Sequence, residues 1–222
     1  MNQRENTVQA FEAARALGAN MIELDCRLTR DGEVVVLHDP TLARLWGDPR
    51  RLSELDWDEL RSLHQDGYRV PRLAEVLDAL PLPVMVDLPD PVAAAPSWVV
   101  ARSAGAAERC MFAGNTAGLE QLRTLSPYVR IALTWDKPEL PSPQLLGRVK
   151  PEWWNPYFRL ADRASVEWAH GRGMGVSVWT VDNRRDIARA LDAGVDAVIS
   201  NQVARVVEEM AGRRAPATGP NP

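Results

Sequence analysis

The sequence predicts an α/β protein, and within that class a TIM-type (β/α)8 barrel. Short apolar segments alternate with amphipathic segments of about ten residues or more, which is typical of parallel strands covered by helices. The alternation runs through the whole chain, which favours a barrel over an open doubly wound sheet. No glycine-rich dinucleotide-binding loop opens any predicted helix, and this also argues against the open sheet.

The elements follow one another in a regular order. The first predicted helix covers "NTVQAFEAARAL", with Asn6 as its N-cap, Gln9 three residues later and Gly18 just past its end. Further helices are predicted for "LAEVLDAL", residues 119–125, "RASVEWAHGR" and "RRDIARALDA", the last two followed by Gly173 and Gly194. The predicted strands start near Ile22, Val34, Val84, Cys110, Ile131, Trp153, Val176 and Ala197.

The composition is that of an ordinary globular protein. The chain has 222 residues, 45% of them hydrophobic and 25% charged, which predicts one domain at residues 1–211. The end, "GRRAPATGPNP", is too rich in proline, glycine and charge to pack, so residues 212–222 are predicted to be a disordered tail. The formal charge of −4 argues against nucleic-acid binding. No apolar run is long enough to span a membrane, and the two cysteines give no disulfide framework, so we expect a cytoplasmic location.

Two carboxylates interrupt the first predicted strand, Ile22–Arg27. Because side chains alternate along a strand, Glu23, Asp25 and Arg27 share one face, which in a barrel points inward. Neighbouring carboxylates repel, so one of them stays protonated unless a cation is near. Arg27 or a hard divalent cation such as Mg²⁺ or Ca²⁺ could supply that charge. A solvated strand face is the structural alternative.

A histidine follows the carboxylates closely in the sequence. Asp31 and Gly32 predict a two-residue hairpin turn, which would place Asp25 opposite His38 on the returning strand. If the link is instead an extended parallel crossover, both residues still fall at the carboxyl ends of adjacent strands. In either arrangement His38 meets the carboxylate pair, which makes it a candidate general acid or base.

The segment "RENTVQAFEAARALGANMIELDCRLTRDGEVVVLHDPTLAR" resembles the start of the glycerophosphodiester phosphodiesterases. That family carries a P-E-N-T helix start, an E-x-D strand, a T-x-D-G turn and a V-x-H-D-x-x-L-x-R run. The segments "VPRLAEVLDAL", "VSVWTVDN" and "AGVDAVIS" resemble later family motifs in the same order. The resemblance implies a TIM-type barrel that hydrolyses glycerophosphodiesters to sn-glycerol 3-phosphate and an alcohol, using a divalent metal and two histidines.

The resemblance also implies roles for individual residues. Glu23 and Asp25 match metal ligands, and Asp87 stands where the family has a glutamate that completes the metal site. His38 matches the second catalytic histidine, and Trp179 matches a tryptophan that lines the substrate pocket. The implied cofactor is Mg²⁺ or Ca²⁺, and the implied partner is a small-molecule phosphodiester.

The chain departs from the family pattern at three places. The family's His-Arg-Gly strand, with its first catalytic histidine, is not in this chain. The E-x-K motif reads Asp87-Leu88-Pro89, and the final T-D-x-P reads Ser200-Asn201-Gln202-Val203. We therefore expect a barrel that lacks its first strand, a true start upstream of Met1, and reduced or no activity in residues 1–222. His64 and His170 are expected to be structural or exposed.

Two other functions stay open at this point. The chain could be a catalytically decayed binding protein, or it could be a related phospholipase C-like or sphingomyelinase-like phosphodiesterase. The oligomeric state does not follow from the sequence.

Overall fold

The structure, a computed structural model, describes residues 3–214 and has the parallel α/β architecture of a TIM-type barrel. Its sheet has the order β2-β1-β3-β4-β5-β6-β7-β8, and all neighbours from β1 onward are parallel. Within these residues no pairing joins β8 to β1. The strands are β1 Ile22–Leu28, β2 Val34–Val36, β3 Val84–Leu88, β4 Cys110–Gly114, β5 Arg130–Trp135, β6 Trp153–Pro156, β7 Gly175–Val178 and β8 Ala197–Val198.

Helices follow the parallel strands, as predicted, and they cover the outer face of the sheet. They are α1 Val8–Ala16, α2 Ala43–Trp46, α3 Trp57–Leu60, α4 Leu73–Ala79, α5 Ala94–Ser103, α6 Thr116–Leu125, α7 Pro143–Val149, α8 Arg163–His170, α9 Arg184–Ala193 and α10 Val203–Arg214. Helix α10 thus continues three residues into the segment expected to be a tail, and residues 215–222 lie outside the described residues. No helix of the described part has the length and apolar character needed to cross a bilayer.

Strand β2 returns antiparallel to β1, and its register is one residue away from the predicted one. The loop has three residues, Arg30–Gly32, because Thr29 pairs with Glu33 and Gly32 adopts a φ of +86°. A left-handed glycine at the third loop position is the usual way to close such a hairpin. Leu37, rather than His38, therefore lies opposite Asp25, and the prediction of a two-residue turn was wrong. The described barrel has seven parallel strands, and β2 is an antiparallel addition.

The start of α1 also differs from the prediction. Thr7 is the N-cap, since its side chain accepts a hydrogen bond from the Ala10 amide. Asn6 lies one residue earlier with a φ of +56°, and its side chain points away from the helix. Gly18, with a φ of +100°, directly follows the C-cap Leu17, as expected.

The two faces of the sheet pack into separate apolar clusters. Leu24, Val86 and Phe112 face the helices and belong to the main core. On the opposite face, Met85, Met111, Ala113 and Ala132 form a small cluster with Trp153 inside the barrel. This interior layer is therefore largely apolar, although Glu23 lies beside Met85 within it.

Residues 38–72 form an excursion between β2 and α4 with its own apolar cluster. Trp46, Leu55, Leu60 and Val70 are buried in it. Arg4 ties the excursion to the start of the chain: its guanidinium lies 4.8 Å from the Trp46 ring centroid and donates to Asp66 over 2.8 Å. The Arg30 amide, just after β1, donates to the Leu55 carbonyl over 2.8 Å, so the excursion also packs beside the carboxyl end of β1.

Candidate active site

Three carboxylates lie on the interior face of two adjacent strands. The β1–β3 register places Asp25 directly beside Asp87, and Glu23 lies two residues before Asp25 on the same face. Met85, the interior partner of Glu23, belongs to the cluster inside the barrel, which identifies this face as the inner one. The sequence predicted the inward direction of Glu23 and Asp25, and the parallel register adds Asp87.

Burial and mutual repulsion make negative charge unfavourable at these three carboxyls. Burial raises the pKa of Glu23 well above its usual range, and the charges of Asp25 and Asp87 add to the rise. Burial and the Asp25 charge raise the pKa of Asp87 to about 7. Burial also raises the pKa of Asp25, against the opposing effects of the Asn6 hydrogen bond and the His38 charge. A cation at this position would relieve the repulsion.

Asn6 holds the Asp25 carboxylate from outside the barrel strands. Its Nδ2 donates to Asp25 Oδ2 over 2.8 Å, and its Oδ1 accepts from the Asp25 amide over 3.1 Å. The sequence interpretation missed this role because an asparagine before a helix is commonly an N-cap. The neighbouring Thr7, an equally good cap, was the signal that Asn6 was available for another contact.

His38 lies just beyond β2 at the end of a chain of charged side chains. Its Nδ1 lies 2.7 Å from Asp39 Oδ1, and Arg44 Nε donates to Asp39 Oδ2 over 2.6 Å. Arg44 also donates to both carboxylate oxygens of Glu5, over 3.0 and 2.5 Å. The chain Glu5–Arg44–Asp39–His38 links the residues before α1 to the histidine, although they are far apart in sequence.

This series of hydrogen bonds determines the protonation chemistry of the His38 imidazole. An ionised Asp39 can only accept, so Nδ1 of His38 carries the proton and Nε2 is the atom that exchanges one. The hydrogen bond to Asp39 raises the pKa of His38, and the Asp25 charge also raises it. The Arg44 hydrogen bond lowers the pKa of Asp39 to about 2, so Asp39 is ionised at neutral pH. The His38 side chain is 60% exposed, which leaves it accessible from solvent.

Trp179 follows directly after β7, further around the sheet from the carboxylates. Its indole Nε1 donates to the Asn155 carbonyl over 2.9 Å, and its ring meets Tyr157 edge-on at a centroid distance of 5.7 Å. The ring is half-buried. On the same inward faces Ser177 donates to Asn155 over 2.8 Å, so this wall of the barrel is polar and aromatic.

The loops that follow β7 and β8 are tied together at the family's last motif. Asp182 accepts from the Asn201 amide over 2.8 Å and from the Ser200 hydroxyl over 3.0 Å. Ser200 and Asn201, which depart from the family pattern, therefore still make a defined contact at the carboxyl end of the barrel.

The other two histidines lie away from the carboxylates. His170 ends α8, and its Nε2 lies 2.8 Å from Asp196, which precedes β8 and is thus at the amino end of the barrel. His64 is exposed in the excursion. Of the histidines in the described chain, only His38 lies near Asp25 and Asp87.

The donor set fits a hard divalent cation by its chemistry. Carboxylate oxygens are the ligands that Mg²⁺ and Ca²⁺ prefer. Neither Glu23 nor Asp87 pairs with a lysine or arginine in the part of the chain that the structure describes. In this conformation no three His, Cys, Asp or Glu side chains of residues 3–214 are grouped closely enough to hold an ion together. The assignment of Glu23, Asp25 and Asp87 as ligands of a divalent cation therefore stays a prediction.

A parallel α/β barrel with acidic and histidine side chains at the carboxyl ends of its strands belongs to the class of TIM-barrel enzymes. Comparison with known proteins defines the class further. The chain belongs to the glycerophosphoryl diester phosphodiesterase family, whose family model matches residues 1–205. It is therefore a phosphoric diester hydrolase by family.

Individual relatives support this assignment. A glycerophosphodiester phosphodiesterase of Caldanaerobacter subterraneus subsp. tengcongensis is 26% identical over 217 residues, which cover 90% of this chain and 89% of the relative. The Thermotoga maritima glycerophosphodiester phosphodiesterase structure has a TM-score of 0.78 at 24% identity, covering 93% of this chain and 92% of that one. An Oleispira antarctica phosphodiesterase, solved with its product sn-glycerol-3-phosphate, has a TM-score of 0.82 at 20% identity, covering 93% and 91%. The two structures support the fold alone.

Proposed function

We propose that this protein hydrolyses glycerophosphodiesters to sn-glycerol 3-phosphate and an alcohol, with a divalent cation, Mg²⁺ or Ca²⁺, held by Glu23, Asp25 and Asp87. The observation that carries the proposal is the placement of His38, oriented by Asp39, near the carboxylates that face the barrel interior from β1 and β3. The Oleispira antarctica phosphodiesterase, which has the same fold, binds sn-glycerol-3-phosphate as its product.

His38 and Trp179 each have a defined part in the proposed reaction. When bound, the cation would neutralise charge that develops on the phosphoryl oxygens. Nε2 of His38 is the proton-exchanging atom, so it either accepts a proton from the attacking water or donates one to the departing alkoxide. Water adds to phosphorus, one P–O ester bond breaks, and the alcohol leaves with a proton. Trp179 supplies an apolar wall for the carbon skeleton of the substrate.

We further propose that residues 1–222 turn over slowly on their own. His38 is the single histidine near the carboxylates in the described residues, and a general acid or base contributes about 10² to 10⁴ in rate. Full activity would need a second proton-transfer group beside the carboxylates.

Cys26 and Cys110 are both free and buried, which supports the expected cytoplasmic location.

The test is an assay of sn-glycerol 3-phosphate released from several glycerophosphodiesters with Mg²⁺, Ca²⁺ or chelator. We expect slow, cation-dependent release that His38→Ala lowers by about 10² to 10⁴. His170→Ala is the matched control, since His170 is also paired with an aspartate but lies at the other end of the barrel. Binding of sn-glycerol 3-phosphate without release from any diester would favour the binding-only alternative. Equal rates in His38→Ala and the unaltered protein would remove His38 from the mechanism.

A further inference from the structure

Arg27 lies beside the candidate catalytic residues and has no role in the mechanism described so far. It follows Asp25 by two residues on β1, so its side chain leaves the same inward face, nearer the carboxyl end of the strand. Its Nε donates to the His38 carbonyl over 2.8 Å, which fixes one edge of the guanidinium next to the histidine. Within residues 3–214, its two terminal nitrogens make no hydrogen bond to protein.

The lack of an acidic partner distinguishes Arg27 from the arginines around it. Arg4, Arg30 and Arg44 each form an ion pair with an aspartate or glutamate. Arg27 forms none in the described chain, although the site beside it is rich in carboxylates. Its charge nevertheless partly offsets the rise in the pKa of Asp25 and Asp87 that burial causes, so the guanidinium lies within electrostatic reach of both.

A guanidinium with one edge anchored and the other free fits a particular ligand. The planar fork of arginine can give two parallel hydrogen bonds to two oxygens of one phosphate, and anchoring Nε reduces the side-chain entropy lost on binding. A group that served only to balance the carboxylates would be expected to hydrogen-bond to them, which Arg27 does not do.

We propose that Arg27 binds the phosphate of the substrate and product through its two free terminal nitrogens, a proposal that rests on the proposed function of the same site. The ligand class is a phosphate monoester or diester of a small polyol. Arg27 would hold the non-bridging oxygens on the side of the phosphorus that faces His38, because the two residues are joined through the His38 carbonyl.

The test is calorimetric binding of sn-glycerol 3-phosphate to the full chain in the presence of Mg²⁺, with inorganic phosphate and glycerol as further probes. Removing a two-point, charge-assisted contact in Arg27→Gln should weaken sn-glycerol 3-phosphate binding by about 10- to 100-fold. Arg27→Lys keeps the charge but not the planar fork, so its affinity should lie between those of the unaltered protein and Arg27→Gln. The affinity for inorganic phosphate should follow the same order, and the affinity for glycerol should be the same in all three proteins.

Arg172→Gln is the matched control. Arg172 also donates to a single backbone carbonyl and lacks an acidic partner in the described chain, but it lies before β7 at the opposite end of the barrel. Its variant should bind sn-glycerol 3-phosphate as the unaltered protein does. Thermal unfolding without ligand shows whether Arg27→Gln is folded, and Arg27→Lys serves as the test variant if it is not.

Several outcomes would overturn the assignment. They are equal affinity in Arg27→Gln and the unaltered protein, equal affinity in Arg27→Lys and the unaltered protein, or no binding of sn-glycerol 3-phosphate by the unaltered protein. Failure of the proposed function has a different signature. Binding that depends on Arg27, without any hydrolysis, would support Arg27 as the phosphate ligand and contradict the catalytic proposal. Hydrolysis that depends on His38, with binding that does not depend on Arg27, would support the catalytic proposal and contradict the role of Arg27.

Discussion

Asn6 and Asp25 hydrogen-bond to each other at two points, side chain to side chain over 2.8 Å and amide to side chain over 3.1 Å. The pair joins the segment before α1 to the interior strand β1. The pair also holds the Asp25 carboxyl in one orientation beside Asp87, which is the register partner of Asp25. The segment before α1 is therefore part of the candidate site as well as the lead into a helix.

Asn6→Ala should lower the free energy of unfolding by about 1 to 3 kcal/mol at pH 7, since it removes both side-chain hydrogen bonds to the mostly buried Asp25. Urea unfolding measures the change. Asn115→Ala, which removes an ordinary N-cap of α6, is a control that costs about 1 kcal/mol. Only Asn6→Ala should also reduce the rise in melting temperature that we expect from binding of Mg²⁺ or Ca²⁺. An undiminished rise would separate Asn6 from the cation site.

Asp39→Asn should lower the pKa of His38 toward its ordinary value. The Asp39 hydrogen bond is the main cause of the raised pKa, and a neutral amide stabilises the imidazolium less. Titration of the three histidine ring signals by NMR measures the shift, with the signals of His64 and His170 as internal references. A His38 titration curve that stays in place would mean that Asp39 does not control the imidazole.

Asp87→Asn should change the pH dependence of stability. The pKa of Asp87 is about 7 in the folded protein, above its ordinary 3.8, so the folded state holds a proton that the unfolded chain releases at lower pH. The cation-free protein should therefore lose stability as pH rises from about 4 to 7, and the loss should persist above pH 7. Asp87→Asn should remove this loss and gain on the order of 1 to 4 kcal/mol at pH 8.

Chemical unfolding at pH 5 and pH 8 in the presence of chelator checks this expectation. Asp162→Asn is the control, because Asp162 is an exposed N-cap of α8 for which asparagine is an equivalent cap. An Asp87→Asn variant less stable than the unaltered protein at pH 8 would show that the Asp87 charge is compensated without a metal.

Gly114→Ala should destabilise the carboxyl end of β4 by about 2 to 5 kcal/mol, from backbone strain and overpacking together. Gly114 has a φ of +100°, and a Cβ there would lie 2.5 Å from the Leu88 carbonyl oxygen. Gly147→Ala is the matched control, since it lies in α7 with open space around it and should gain up to about 1 kcal/mol. Thermal unfolding distinguishes the two, and a neutral Gly114→Ala would contradict the close β3–β4 approach.

Local pattern was sufficient to predict the fold class and part of the site. The alternation of short apolar strands with helices follows from residue periodicity, and each of the predicted strand starts lies within a residue of an observed strand. The inward direction of Glu23 and Asp25 follows from the two-residue repeat of a strand. The proximity of His38 to the carboxylates could be predicted as well, because a hairpin joins them over a short stretch of chain.

Tertiary structure decided what depends on contacts between distant residues. The hairpin register needed one more loop residue than the Asp-Gly pair indicated, since Gly32 adopts a left-handed conformation. Asp87, which the sequence connected with the acidic pair only through the family resemblance, lies beside Asp25 because of the parallel register of β1 and β3. Glu5 reaches Asp39 only through Arg44. Sequence by itself determined the elements and the faces of their side chains, because those follow from short-range periodicity. The folded chain alone selected which faces meet, because pairing register and side-chain hydrogen bonds are formed between segments whose separation in sequence carries no local signal.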